Sequence, residues 1–317
     1  MVASIIIPHW NGKQHLDDCL TALRNQTFRN FEILLVDNGS TDGSQAYIRE
    51  TFPEVMLIEL AENRGFTGAC HAGWKASRGD LIILLNNDTE VDTNWLSEVV
   101  GAFGRYPEAG IVASKMLLFD KRDTFHTAGD LMYLNGTPNN RGVWQADEGQ
   151  FDCEEYVFSA CGGSSAYRRA LLEEIGFLDD DFFFSCEDVD IGWRAQLAGW
   201  RCVYAPSAIV YHKLKATGGS VTGSYYDGRN FLFLLWKNYP LSLFKTHWRV
   251  VLGGQLKITR EAIRHWRGEA ARARLKGQLA GILGLPAMRD KRRIIQANRR
   301  VTDDYLLSIL SQIDEAN

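Results

Sequence analysis

The sequence lacks several features that would assign a protein directly to a common class. Its six cysteines are scattered and form no CxxC pair, which argues against a zinc ribbon or a disulfide scaffold and predicts reduced thiols. No apolar run reaches the roughly 18 to 20 residues that a membrane-spanning helix needs. The opening residues, MVASIIIPHW, enter a strand pattern without the regions typical of a signal peptide. We therefore expect a cytoplasmic location.

Glycine-rich phosphate loops are also missing. The first apolar strand is followed by NGKQHL and not by GxGxxG, and the sequence contains no GxxxxGK[ST]. These absences exclude a dinucleotide fingerprint and a P-loop. A nucleotide site in this chain would instead use carboxylates for the base and sugar, with a divalent cation for the phosphates.

Charge is distributed unevenly, although the net value is only −4. Between Lys245 and Arg300 there are 15 Lys or Arg and 3 Asp or Glu, a balance of +12 that leaves −16 on the other residues. Such a basic segment indicates an anionic partner: a lipid headgroup surface, a pyrophosphate-linked acceptor or nucleic acid. A solvated helical face is the alternative.

The composition, 45% hydrophobic and 23% charged, is that of an ordinary globular protein. Strand and helix patterns alternate up to residue 120, which predicts an α/β fold with mostly parallel strands. The predicted strands are SIIIPHW, EILLVDN, VMLIEL, DLIILLNND and GIVASKMLLF, and the predicted helices between them are His15–Gln26, Gly43–Phe52, Thr67–Ser77 and Asn94–Tyr106.

Residues 121–160 are rich in Gly, Asn and Thr, which predicts hairpins and a long loop. Helices are expected from Arg168 to Gly176 and over Asp188–Ala198, followed by the strand RCVYAPSAIVYH. We therefore divide the chain into a first domain, 1–224, with halves at 1–120 and 121–224, and a helical, basic region, 225–317.

Polar residues recur where the apolar strands end. Asp37 ends the second strand and Asp88 ends the fourth, in LIILLNNDTEVD. Ligands bind at the carboxyl edge of an open parallel sheet, so these side chains are candidate nucleotide and cation contacts. Each also has a simpler explanation as a turn residue at a strand exit.

The stretch FFFSCEDVDIGWRAQLAGW places three carboxylates at the start of a predicted helix, after an aromatic cluster. Helix capping explains acidic residues there, but a general base gains from such a partly apolar setting. His212 ends a strand in VYHK and is either a structural histidine or a cation ligand.

Together these motifs resemble the family 2 glycosyltransferases, inverting enzymes with the GT-A fold that use nucleotide-activated sugars. The resemblance covers roughly residues 3–240 and rests on SIIIPHWNG, VDNGSTDGS, ENRGFTGACHAGWKASRGDLIILLNND and GGSSAYRRALLEEIGFLDDDFFFSCEDVDIGWRAQLAGW. It implies a Rossmann-like central sheet flanked by helices, with a helical carboxyl-terminal extension. It also implies that 1–224 is the catalytic domain, with a nucleotide-sugar half, 1–120, and an acceptor and catalytic-base half, 121–224.

The resemblance also implies roles for particular residues. Asp188 corresponds to the catalytic base, and Asp88 with His212 to ligands of Mg²⁺ or Mn²⁺. Asn86 stands where the family's DxD motif has its first aspartate, so it is left as a sugar or ribose contact. Acceptor contacts are implied for Gly162, Gly163, Glu187 and Trp193. Donor contacts are implied for Pro8, Asn11, Asp37, Asn63, Gly65, Asn86, Asn87 and Asp88.

Two segments, LLNNDTEV and EDVDIGWR, look most like the corresponding segments of bacterial rhamnosyltransferases that act in cell-surface polysaccharide synthesis. The expected activity is metal-dependent hexosyl transfer from dTDP-L-rhamnose to a glycan or lipid-linked glycan. The basic region near Trp248, Trp266 and Arg292 would then associate with the inner face of the plasma membrane. Alternatives are a UDP-sugar-dependent transferase or a non-catalytic nucleotide-sugar-binding module, and no nucleic-acid partner is expected.

Overall fold

The first part of the chain alternates strands and helices, as the sequence predicts. The computed structural model describes residues 1–214 and 220–311. Up to the fourth strand, the elements are β1 (Ala3–His9), α1 (Leu16–Arg24), β2 (Phe31–Asp37), α2 (Ser44–Thr51), β3 (Met56–Glu59), α3 (Gly65–Ala76) and β4 (Leu81–Leu85). Strand β1 pairs in parallel with β2 and β4, and β2 pairs in parallel with β3. The parallel arrangement expected for this segment is confirmed.

The middle of the chain completes the sheet with strands of both directions. Its elements are β5 (Thr89–Val91), α4 (Trp95–Arg105), β6 (Ala109–Leu118), β7 (Phe125–Thr127), β8 (Asp130–Met132), β9 (Pro138–Asn140), β10 (Glu155–Val157), β11 (Ser164–Arg168), α5 (Arg169–Ile175), α6 (Glu187–Ala198) and β12 (Arg201–His212). Within the described residues the path across the sheet is β10-β12-β6-β11-β4-β1-β2-β3.

Strand β11 was not expected from the sequence. It lies between β4 and β6 and is antiparallel to both. Its residues, SSAYR, are mostly small or polar, run directly into α5 and carry no strong strand pattern. The β8–β9 pair forms a separate hairpin, in agreement with the hairpins predicted for residues 121–160.

Helices follow β12, as predicted. They are α7 (Ser220–Asn238), α8 (Leu241–Arg264), α9 (Glu269–Gly284), α10 (Met288–Ala297) and α11 (Asp303–Ile309). The domain boundary expected at residue 225 lies inside α7, so the helical region begins earlier than predicted. In the described ranges, no helix has the length and hydrophobicity that crossing a bilayer requires.

Three hydrophobic clusters hold these elements together. Alternate residues of a strand point to opposite faces, so Ile5 packs with α1, α2 and α4, whereas Ile6 packs with α3, α5 and α6. The third cluster joins α6 to α7, α8, α10 and α11, with Trp193 and Tyr239 at its centre. The carboxyl-terminal helices therefore share a core with the helix that carries Asp188.

Candidate active site

Two adjoining cavities open at the carboxyl edge of the parallel strands. The smaller, about 190 Å³, is walled by Trp10, Phe183 and Tyr226, and we call it the aromatic cavity. The larger, about 450 Å³, contains Asp130, Glu187 and Asp188, and we call it the acidic cavity. Phe66, Asn86 and Phe184 line both, so the cavities are neighbours.

The predicted donor residues divide between these cavities and the loops behind them. Pro8, Asn63, Gly65, Asn86 and Asn87 line the aromatic cavity. Asp88 lines the acidic cavity, and Asn86 also borders it. The geometry therefore brings six of the eight predicted donor residues to one continuous space.

Asn11 and Asp37 line neither cavity. The Asn11 backbone N–H donates to Ser40 Oγ over 2.9 Å, and its Oδ1 accepts from the Thr41 N–H over 2.8 Å. Asp37 is buried, and its Oδ2 accepts from the Gln45 side chain over 2.8 Å. Its Oδ1 is a buried acceptor with no partner among the described residues. Both residues organise the loop behind the aromatic cavity.

Asn38 is a functional candidate that the sequence reasoning did not single out. Its Nδ2 donates to Asn63 Oδ1 over 2.9 Å and to the Gly65 carbonyl over 3.0 Å, while its Oδ1 accepts from the Arg64 N–H over 2.8 Å. One buried amide thus fixes the turn that supplies two predicted donor contacts. Its position directly after Asp37 at a strand end was the available signal.

His9, for which the sequence suggested no role, positions Asn87. Its Nδ1 lies 2.8 Å from Asn87 Nδ2 and its Nε2 lies 2.8 Å from Ser44 Oγ. An amide nitrogen only donates, so Nδ1 is the acceptor and Nε2 carries the proton. Burial lowers the pKa of His9, which keeps the ring neutral in this arrangement.

Asp88 and His212 meet in the acidic cavity, as expected for a cation site. Asp88 Oδ1 and His212 Nε2 are 3.1 Å apart. Burial acts to raise the pKa of Asp88, but the hydrogen bond and charge of His212 outweigh it and lower that pKa. The carboxylate is therefore ionised, which is the form that binds a metal.

The 3.1 Å separation is that of a direct hydrogen bond between the two side chains. A carboxylate oxygen and an imidazole nitrogen at one site would be candidate ligands of Mg²⁺ or Mn²⁺, with substrate oxygens as the further ligands. Within residues 1–214 and 220–311 no group of three or more His, Cys, Asp or Glu could hold a metal. One or two protein ligands plus phosphate oxygens is a common arrangement for Mg²⁺.

His126 supports this pair from behind and was missed by the sequence reasoning. Its Nδ1 lies 3.1 Å from His212 Nδ1. Burial, with a further contribution from His212, lowers the pKa of His126 to about 3. A neutral imidazole can accept or donate a hydrogen bond at Nδ1. His126 can therefore orient the His212 ring whether Nε2 of His212 carries a proton or binds a metal.

Asp188, the predicted base, lines the acidic cavity from the first turn of α6. Its Oδ2 accepts from the Gly162 N–H over 2.7 Å, and its Oδ1 accepts from the Val189 N–H over 2.8 Å. Burial raises the pKa of Asp188, although these N–H groups favour its ionised form. A raised pKa makes a carboxylate a stronger base.

Two more carboxyls stand beside Asp188. Burial, together with the charge of Asp188, raises the pKa of Glu187 to about 8 and also raises the pKa of Asp130. Glu187 Oε2 is buried without a hydrogen-bond partner in the described residues. Glu187 is consequently a proton-bearing group at neutral pH. Asp130 lies in the short strand β8, where the sequence carried no signal for it.

The four predicted acceptor residues are only partly brought together. Gly162, Gly163 and Glu187 line the acidic cavity. Trp193 lies in neither cavity, is 0% exposed and packs edge-on against Phe158. A side chain with no exposed surface cannot touch an acceptor. Trp193 is therefore a core residue, and the predicted acceptor contact is wrong.

A strained loop forms the wall between the cavities. Phe183, Ser185 and Cys186 adopt φ values of 57°, 70° and 70°, which cost roughly 1–2 kcal/mol each for residues with a Cβ. Asn230 of α7 offsets part of this cost, because its Nδ2 lies 3.1, 2.9 and 2.7 Å from three carbonyl oxygens of residues 182, 184 and 185. We call residues 181–186 the strained loop.

Gly65 allows this loop to approach the donor side. Its φ is +73°, and a Cβ there would lie 2.6 Å from the Phe183 ring. The Phe66 N–H donates to the Phe183 carbonyl over 3.1 Å across the same contact. Phe183 then stacks on Tyr226, with ring centroids 5.5 Å apart and planes 20° from parallel. Flat aromatic faces of this kind suit a nucleobase.

Comparison with known proteins agrees with this arrangement. The model of the family described as Glycosyl transferase family 2 matches residues 4–176. An N-acetylglucosaminyl-diphospho-decaprenol L-rhamnosyltransferase of Mycobacterium tuberculosis is 27% identical over 241 residues, covering 68% of this chain and 78% of that protein. The O-antigen biosynthesis protein RfbC of Myxococcus xanthus is 31% identical over 222 residues, covering 66% of this chain but only 17% of the relative.

Solved structures share the fold at low sequence identity. A mannosyltransferase of Pyrobaculum calidifontis in complex with GDP-Man and Mn²⁺ superposes with a TM-score of 0.58 at 15% identity, covering 97% of this chain and 82% of the other. At that identity the likeness establishes the architecture alone. It confirms the predicted GT-A arrangement with helices at the carboxyl-terminal end.

Proposed function

Since this chain belongs to glycosyl transferase family 2, we propose that it moves a hexose, with L-rhamnose from dTDP-L-rhamnose as the first candidate, from a nucleotide diphosphate to a glycan or lipid-linked glycan. One observation carries the proposal. The aromatic cavity, which suits a nucleobase, shares Asn86 with a neighbouring cavity that is lined by Asp88, His212 and Asp188. The rhamnosyl donor is supported by the mycobacterial relative.

In this proposal the nucleotide lies in the aromatic cavity between Trp10 and the Phe183–Tyr226 stack. Asn86 lies between the two cavities and contacts the ribose or the sugar. Asp88 and His212 would hold a divalent cation, which, when bound, stabilises the negative charge on the departing diphosphate. The sugar carbon then faces the acidic cavity.

Asp188 accepts the proton of the acceptor hydroxyl. The N–H groups of Gly162 and Val189 hold its carboxylate in one orientation, so little reorganisation is needed when the proton arrives. Glu187 bears a proton at neutral pH and can donate a hydrogen bond to the acceptor. Attack from the side opposite the leaving group inverts the configuration of the sugar carbon.

The first test combines donor binding with turnover. In a thermal-shift screen with Mn²⁺ or Mg²⁺, dTDP-L-rhamnose should raise the melting temperature more than UDP-sugars do, because a ligand that binds the native state stabilises it. The variant Asp188→Asn should keep that shift and lose transfer by about 10²- to 10⁴-fold, the typical contribution of a general base.

Asp290→Asn, the same change at an exposed carboxylate, is the matched control and should behave as the unaltered protein. Unchanged transfer by Asp188→Asn would remove Asp188 as the base. A selective UDP-sugar shift would replace the donor assignment. Donor binding without transfer by the unaltered protein to any acceptor would favour a non-catalytic binding module.

We further propose that α8 and α9 lie on an anionic membrane surface. On α8, Trp248, Leu252, Leu256 and Ile263 are 43% to 55% exposed, and their spacings of four and seven residues place them on one face. Basic residues flank this face, including Lys245 and Arg260. Helices with apolar and basic faces bind at the lipid–water interface.

Flotation with liposomes tests the membrane proposal. The protein should float with vesicles containing phosphatidylglycerol, less so as salt is raised, and not with phosphatidylcholine alone. Trp248→Glu with Leu252→Glu should abolish flotation. Trp144→Glu, a change at another exposed tryptophan, should not. Flotation that is equal in all three proteins, or absent from the unaltered one, would contradict the proposal.

A further inference from the structure

A third and larger space lies outside the two cavities described above. It is a groove of about 1260 Å³ between the β8–β9 hairpin and α8. Tyr133 and Asn139 line it on the hairpin side, and Arg249, Gly253 and Lys257 line it on the α8 side. We call it the stem groove.

The stem groove continues directly from the acidic cavity. Pro138, Asn139 and Phe231 line both spaces. A molecule that places one hydroxyl at Asp188 and is longer than a single sugar therefore has a path past these three residues into the groove. The donor side offers no such path, because the aromatic cavity shares residues with the acidic cavity and none with the groove.

The α8 wall of the groove combines positive charge with apolar surface. Arg249 and Lys257 are eight residues apart, about 12 Å along the helix axis, and both are exposed. Neither forms an ion pair with a carboxylate of the described residues. Glu261 is the one acidic residue that α8 contributes to the groove, and Val250 and Ile258 contribute apolar surface. Arg249 lies over the Trp248 ring, 5.4 Å from its centroid, but has no carboxylate partner. Cations without carboxylate partners beside apolar side chains suit a ligand that is anionic and partly apolar.

We propose that the stem groove binds the stem of the acceptor, namely a diphosphate group that links the acceptor sugar to a lipid chain. The inference rests on the proposed glycosyl transfer, since it takes Asp188 as the point where the acceptor hydroxyl lies. Arg249 and Lys257 contact the diphosphate, and the lipid chain leaves along Val250 and Ile258. The groove thus selects acceptors by what lies behind the sugar.

Gly253 provides a way to close the groove without disturbing the fold. A Cβ at Gly253 would meet no atom within 4 Å, so Gly253→Trp would project into the groove. Its neighbour Gly254 is unsuitable, because a Cβ there would lie 2.7 Å from the Asn135 side chain. Gly104 of α4 also has nothing within 4 Å of a built Cβ, so Gly104→Trp is the matched control.

The experiment uses three probes with the full chain. Two carry N-acetylglucosamine, the sugar named for the mycobacterial relative, either on an alkyl diphosphate or as a neutral methyl glycoside, which has no chain to enter the groove. The third is the alkyl diphosphate without a sugar. Calorimetric binding is measured in the Asp188→Asn background, and transfer with the first two probes is measured with Asp188 intact. Because binding of the third probe needs no turnover, the groove is tested even if the proposed transfer fails.

We expect Gly253→Trp to abolish binding of both diphosphate probes and to leave donor binding and the neutral glycoside unchanged. Arg249→Glu with Lys257→Glu should weaken the diphosphate probes at least about fivefold, because exposed charge pairs contribute up to about that factor and reversal adds repulsion. The control pair is Arg29→Glu with Lys75→Glu, both exposed, outside the groove and remote from α8 in the chain. It should have no effect.

Diphosphate binding that is unaffected by Gly253→Trp, or weakened equally by the control pair, would overturn the proposal. An equal loss of binding of the neutral glycoside would also overturn the proposal, since that result would locate the effect of the substitution at the sugar and not at the stem. If the unaltered protein binds the alkyl diphosphate but transfers no sugar, the proposed function fails while the groove assignment stands.

Discussion

Glu187 and Asp188 are adjacent in sequence but have different surroundings. Asp188 accepts two backbone N–H groups, whereas one oxygen of Glu187 has no partner in the described part of the chain. Hydrogen bonds from N–H groups favour a carboxylate over a carboxylic acid. The pair therefore holds its proton on Glu187 at neutral pH, which leaves Asp188 free to accept one. Different local environments separate the acid from the base.

This division predicts a pH-dependent stability for Glu187→Gln. The pKa of Glu187 is about 8 in the folded chain and about 4.3 when unfolded, so the folded state holds the proton more tightly. The stabilising contribution of the Glu187 proton is fully present below about pH 4.3 and is lost as the pH rises toward 8. Gln cannot titrate, so the variant should gain stability relative to the unaltered protein across that interval.

Urea unfolding at pH 5, 6, 7 and 8 measures this difference, with Glu62→Gln as the control because Glu62 is exposed. The difference in unfolding free energy between Glu187→Gln and the unaltered protein should grow as pH rises. The same difference for Glu62→Gln should stay constant. A constant difference at every pH would mean that Glu187 is ionised in the folded chain throughout.

At the level of elements, helix α7 stabilises the conformation of the strained loop. Asn230 is fully buried and its amide faces three loop carbonyls. Arg229 adds donors to the carbonyls of Asp181 and Phe182, at 2.6 and 2.8 Å. Because Phe183 forms one wall of the aromatic cavity, α7 influences the shape of that cavity through the loop. Tyr226 contributes directly to the same cavity.

The variant Asn230→Asp should release this loop. It replaces the N–H donors by oxygens that face carbonyl oxygens, and each buried carbonyl left without a donor costs about 1–3 kcal/mol. We expect a lower melting temperature, a higher KM for the donor and faster amide hydrogen exchange in residues 181–186. Asn298→Asp makes the same change at an exposed position and should leave all three unchanged. Normal exchange in the loop of Asn230→Asp would contradict the role of α7.

The same elements show how far the sequence predicts this molecule. Strands β1, β2, β4 and β6 were predictable because each is largely apolar and lies next to at least one predicted helix. Asp88, Asp188 and His212 were predictable because each ends or begins a strong element. The sequence could therefore indicate that these three residues lie at one site, whereas their chemical roles remain predictions.

The missed residues depend on contacts between distant segments. His126 reaches His212 only because β7 and β12 both pair with β6. Asp130 enters the acidic cavity from a strand of three residues, and Asn230 lies in the middle of a helix. None of these positions has a distinctive local pattern. Strand β11 was missed for a related reason, since its small polar residues are buried only by its two neighbours in the sheet.

At the scale of the whole molecule, the carboxyl-terminal helices are part of the catalytic unit. Phe233, Tyr239 and Leu306 share a hydrophobic cluster with Trp193 of α6. Lys237 of α7 also forms ion pairs with Asp179 and, at 2.8 Å, with the fully buried Asp190 of α6. Removing either partner of a buried pair leaves an uncompensated charge. The helix that carries Asp188 therefore depends on α7 for both packing and charge balance.

A chain that ends at residue 224 should consequently fail to form a stable fold. It would expose Trp193 and Phe158 and leave Asp190 with one of its two cationic partners. We expect aggregation or a loss of near-ultraviolet circular dichroism, while the full chain melts in a cooperative transition. Lys237→Met in the full chain is a milder test and should lower the melting temperature without aggregation. A folded 1–224 fragment that binds donor would show instead that the two regions are independent.

The antiparallel direction of β11 has a consequence for how such a site can diversify. Ser164 pairs with Leu85, so the start of β11 lies beside the end of β4, and Gly162 and Gly163 reach the site from the opposite chain direction to Asn86 and Asp88. In the proposed assignment, the donor side is built where strands leave the sheet, and the acceptor side where a strand enters it. Insertions and substitutions between β6 and β11 can therefore accumulate without shifting the register of the donor strands. Acceptor preference and donor preference are free to evolve separately on one sheet.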